Sequence, residues 1–89
     1  MVERRSTEWL VHREKYLREK LQAYEYILNT IREIQRKNRE NMVLVEVCES
    51  LTNMIETQMN FVAQALNLVQ KELEKREVKT AGAGPINNQ

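Results

Sequence analysis

The chain has no aspartate, one histidine, one cysteine, one proline and two glycines in 89 residues. Each scarcity removes a class of chemistry. A lone cysteine forms no intrachain disulfide, and without a Cys/His cluster no zinc site is expected. Gly82 and Gly84 lie beside Pro85 near the end, so no glycine loop is available to cradle phosphate. His12 stands alone one helical turn after Glu8 and reads as a surface histidine, because a general base needs a pocket and an orienting partner. No Glu is followed three residues later by His, the spacing that di-metal helical bundles use. Neither an enzyme nor a cofactor is expected. The longest unbroken apolar run is Met42 to Val45, against about 20 residues for a membrane span. The opening MVERRSTEWL has no apolar signal core, so the expected setting is cytoplasmic.

What the sequence does contain is helix. Nothing before Ala81 breaks one, and Glu, Lys, Arg, Leu and Gln dominate, all strong helix formers. From Met42 to Val69 the apolar residues follow a seven-residue frame. Position a holds Cys48, Ile55, Val62 and Val69, and position d holds Leu44, Leu51, Gln58 and Ala65. Position e adds Val45, Met59 and Leu66, and position g adds Val47, Met54, Phe61 and Leu68. This period belongs to an α-helix, since a strand would alternate every two residues. Four apolar positions in seven make a stripe too wide for one neighbour; a two-stranded coiled coil needs only two. Such a helix expects several neighbours, as in a bundle. The residues assigned to the core and to self-association are Leu44, Cys48, Leu51, Ile55, Met59, Val62, Leu66 and Val69.

The same frame runs through the first half, with Leu10, Leu17, Tyr24 and Ile31 at d and Leu21 and Leu28 at a. Ser6 or Thr7 is placed to cap this helix. A second stripe of Trp9, Tyr16, Ala23 and Thr30 at position c, flanked by Lys20, Ile27 and Ile34, has two readings. Amphipathic rings lie on the surface under Lys and Arg stems, or the stripe is a contact face for a partner, with Trp9, Tyr16, Lys20 and Ile27 as its residues.

Arg36-Lys37-Asn38-Arg39-Glu40-Asn41 holds no apolar residue, and its asparagines are suited to ending one helix and capping the next. The expectation is a frayed start over residues 1–5, a helix over 6–37, a turn over 38–41, a helix of similar length over 42–78, and a flexible tail over 80–89. One uninterrupted helix is the alternative. Charge is uneven: residues 1–40 carry ten Lys/Arg against seven Glu, whereas residues 41–70 carry three Glu and no basic residue. Arg32, Arg36, Lys37 and Arg39 near the turn form a candidate contact for an acidic surface or a phosphate backbone. Glu33 and Glu40 dilute them, and a net charge of +1 lacks the basic footprint of a nucleic-acid binder.

The fold expected is an all-α, two-helix antiparallel hairpin that dimerises into a four-helix bundle, since a domain this small is marginal alone. The function expected is protein–protein interaction, as an adaptor, regulator or assembly factor. One alternative is a subunit of a hetero-oligomeric complex, or a secretion-type chaperone, whose core another chain completes. The other is weak nucleic-acid binding through the basic turn.

Overall fold

The computed structural model describes residues 5–83, and side chains over residues 5–77. Two helices, α1 (Thr7–Lys37) and α2 (Met42–Ala83), fold back on each other as an antiparallel hairpin. Ser6 caps α1 in an extended conformation, its hydroxyl oxygen accepting from the Trp9 N–H at 3.0 Å. Asn38 closes it: its backbone N–H donates to the Gln35 carbonyl at 3.2 Å and its side-chain amide to the Ile34 carbonyl at 2.7 Å. Three residues later Asn41 opens α2, its Oδ1 accepting from the Leu44 N–H at 3.1 Å. Two asparagines thus satisfy the backbone groups that helix ends leave unpaired. The reversal needs no glycine and no positive φ among the described residues.

The core is a thin strip between the helices. Leu10 and Leu17 of α1 cluster with Val62 and Val69 of α2, and Trp9, Leu21, Tyr24, Ala65, Leu66 and Leu73 pack partly buried around them. Leu28, Ile31 and Cys48 are the buried residues toward the turn. No polar side chain is buried among the described residues. The molecule is a rod of 65 × 26 × 15 Å with a radius of gyration of 19.4 Å, where a compact chain of this length would have roughly 12 Å.

The boundaries differ from expectation at both ends. Arg5, placed among the frayed residues, is held: its carbonyl accepts from the Arg76 guanidinium at 2.7 Å, and its own guanidinium lies over the Trp9 ring at 4.7 Å. Residues 1–4 lie outside the described residues. α2 runs to Ala83, past Val78, because only Pro85 compels a break and Thr80, Ala81 and Gly82 are tolerated near a helix end. The helices are therefore unequal, 31 residues against 42, and α2 overshoots the start of α1. The part of the expected tail from residue 84 lies outside the described residues.

Candidate interaction surface

The two edges of the hairpin are chemically different, and helical geometry says why. On α2 the residue following each a position lies about 100° round the helix, and the residue preceding it about 100° the other way. Two of the following residues, Glu56 and Gln70, meet polar groups of α1. Gln70 donates to Glu14 at 3.2 Å, and Glu56 lies 3.6 Å from the Arg32 guanidinium. Farther along, Arg76 ties the open end, donating to Glu72 at 3.0 Å, to the Thr7 hydroxyl at 2.9 Å and to the Arg5 carbonyl. Near the turn the Gln35 amide reaches the Val45 carbonyl at 3.4 Å. Arg18 and Gln70 hydrogen-bond the Glu14 carboxylate, which holds it below its ordinary range against the opposing effect of partial burial.

The preceding residues face largely into solvent. Val47, Met54, Phe61 and Leu68 are 48%, 63%, 61% and 58% exposed, four large apolar side chains spaced at seven residues along one line. Leu51, placed in the core by the sequence, is 40% exposed on the same side. The reason is a rotation of α2: its a and e positions, not a and d, point at α1. Cys48, Val62 and Val69 are buried, Ile55, Met59 and Leu66 are half-buried beside them, and Leu44 is half-buried at the margin. On α1 the same edge carries Ile27 and Ile34, also exposed. The hairpin therefore presents a continuous apolar face near the turn that extends along α2 toward the open end. Isolated exposed apolar residues are ordinary, but a contiguous row of them marks a contact surface.

The stripe assigned to a partner divides. Trp9 is half-buried against the Leu10–Leu17–Val62–Val69 cluster, so it belongs with the core and not with a free surface. Tyr16 is exposed and lies under the Arg13 guanidinium at 5.0 Å and the Lys20 ammonium at 5.6 Å. Lys20 is half-buried, and Ile27 joins the apolar face. Known proteins offer no guide to what covers this surface. No family model, curated protein or solved structure matches the chain.

Arg36, Lys37 and Arg39 line one shallow depression at the turn with Asn38, Glu40 and Asn41, and Arg32 lies outside it. Arg36 and Lys37 both pair with Glu33, Arg32 pairs with Glu56 on α2, and Arg39 donates to the Arg36 carbonyl at 3.4 Å. The Arg36 hydrogen bond, aided by Lys37, keeps the Glu33 carboxyl below its ordinary range, so an anionic ligand would compete with carboxylates already in place. Among the described residues, no group of three or more His, Cys, Asp or Glu is placed to hold a metal. No helix among them is long and apolar enough to cross a membrane. The sequence frame contained the signal for the exposed row, since Val47, Met54, Phe61 and Leu68 share position g, but it could not say which part of the wide stripe α1 would cover.

Proposed function

We propose that this hairpin is a non-enzymatic protein–protein interaction module, an adaptor, regulator or assembly factor, that completes its core by self-association into a dimeric four-helix bundle. The observation that carries this reading is the row of Val47, Met54, Phe61 and Leu68, exposed at heptad spacing on a helix whose opposite edge, Cys48, Val62 and Val69, is buried against α1. Water contact with such a row is unfavourable by about 25 cal/mol per Å² of apolar surface, and a second pair of helices removes it. Once assembled, the dimer acts by occluding or recruiting another protein, with the Tyr16 end of α1 left outside the bundle as the available contact.

The test is mass in solution by light scattering on the purified chain, beside Phe61→Glu. The reading expects a discrete dimer for the natural chain and a helical monomer for the variant, because the charge falls on the contact face and not between α1 and α2. A natural chain that is monodisperse and monomeric at all concentrations would overturn self-association. A natural chain that aggregates alone and is cured by co-expression of a second protein would favour the hetero-oligomeric reading, in which another chain supplies the missing helices.

A further inference from the structure

The outward row on α2 is a complete second seam. Leu44, Val47, Leu51, Met54, Gln58, Phe61, Ala65 and Leu68 alternate in steps of three and four residues, the pattern that packs one helix against another along its length. The seam lies about a quarter turn from the residues that face α1. Its outer flank is uncharged, with Ser50, Thr57 and Gln64, and Glu46, Glu49 and Glu56 point to the far side. The Thr57 hydroxyl is already satisfied by the Asn53 carbonyl at 2.9 Å. A second copy of this seam meets no like charge between Leu44 and Leu68.

Direction follows from the composition of the face along the rod. In the turn half, Ile27 and Ile34 of α1 lie beside the α2 seam; in the open half, Lys20 and Arg13 lie there instead, with Lys71 beyond. A copy laid in the same direction would stack these cations on their own counterparts, while Glu72, the carboxylate that continues the seam there, is already paired with Arg76 and Lys75. A copy laid in the opposite direction sets Ile34 near the partner's Phe61 and Ile27 near the partner's Met54. Surface is available in the required amount. The chain exposes 6955 Å², and a stable interface removes about 800 Å² per partner.

Accepting the self-association proposed above, we infer that a second copy of this chain docks on the seam with its α2 antiparallel to the first, and that Gln58 fixes the register. In that register Leu44 lies opposite the partner's Leu68, Leu51 opposite the partner's Phe61, and Met54 opposite the partner's Gln58. The two-fold axis falls at the level of residue 56, and the two Gln58 side chains flank it within reach of each other. Gln58 is the one polar residue of the seam. Each amide carries two donors and one acceptor oxygen, so the two satisfy each other only when adjacent. A slip of one heptad would leave both against Val47 or Phe61, buried and unpaired, which disfavours that register. A single polar residue at a seam position specifies register in this way in other helical assemblies.

The experiment is pulsed electron spin-spin distance measurement on single spin labels, in a Cys48→Ala background. If alanine at position 48 lowers helicity, the natural Cys48 is kept, since it is buried and only the introduced cysteine reacts under native conditions. A label at Thr57→Cys sits near the axis and should give a short distance, about 20 Å, set by helix spacing. A label at Lys71→Cys is 15 residues from the axis on each copy, and should give about 45 Å at 1.5 Å per residue. In the same dimer, Gln58→Leu should broaden or multiply these distances. Equal short distances at both positions, in a protein whose mass is that of a dimer, would overturn the antiparallel arrangement while leaving self-association standing. A single unchanged distance in Gln58→Leu would overturn the register role. A monomeric mass would remove both readings and assign the face to a different chain.

Discussion

Among the described residues, Leu10 is the one large side chain with no solvent contact at all. Leu10→Ala is expected to lower the free energy of unfolding by about 3 kcal/mol, the loss of buried methyl groups plus a cavity that a rod of two helices closes only in part. Tyr16→Ala, six residues on and exposed, should change it by no more than about 0.5 kcal/mol. Urea titration of both variants checks the contrast. Trp9→Ala should behave like the first and not the second, because its ring rests on the core cluster. Glu14 adds a dependence on pH. Its folded carboxyl titrates below its ordinary value of 4.5, chiefly through the Arg18 hydrogen bond and with Gln70 assisting. The stability it contributes is therefore fully present above that value and is lost as pH falls through the lower, folded one. Glu14→Gln should show a smaller drop in melting temperature between neutral pH and pH 3 than the natural chain. The effect is modest, because the Arg18 partner is exposed and surface pairs are worth little.

At the scale of the elements, the caps carry the punctuation that glycine and proline carry elsewhere. Asn41→Ala removes the side-chain acceptor for the Leu44 N–H and should cost about 1 kcal/mol, seen as a lower melting temperature with helix content retained below it. The start of α1, the turn over residues 38–41 and the start of α2 were legible in the sequence because Ser6, Asn38 and Asn41 interrupt or flank an otherwise regular apolar frame. The end of α2 was not, since no residue between Val78 and Ala83 compels a stop. The rotation of α2 was hidden for a different reason. Its apolar stripe covers a, d, e and g, and any adjacent pair of these is a sufficient seam for a single neighbour. Only the packing of Leu10 and Leu17 against Val62 and Val69 selects a and e for α1, leaving Leu51 outside. Trp9 keeps the first of the two readings of its stripe, a partly covered ring under the Arg5 and Arg13 guanidinium groups, and also rests on the core cluster.

For the whole molecule, the self-association proposed above would couple the stability of so narrow a core to what lies against its open face. The melting temperature should rise with protein concentration over the micromolar range, as it does whenever association is coupled to folding, and Phe61→Glu should abolish that dependence. Differential scanning fluorimetry at several concentrations decides the matter. An unchanged melting temperature across a hundredfold dilution would separate folding from assembly.

The contact between Arg5 and Arg76 has a consequence for reach. Both ends of the described hairpin leave from one pole of the rod, and the turn occupies the other. In the opposed dimer inferred above, Arg76 lies 20 residues from the two-fold axis on each copy, which would set the two pairs of ends about 60 Å apart at 1.5 Å per residue. Groups fused near either end of one copy would be kept apart from those on the other by that length, so that such a dimer would act as a spacer, while groups on the first and second helix of the same copy would sit side by side.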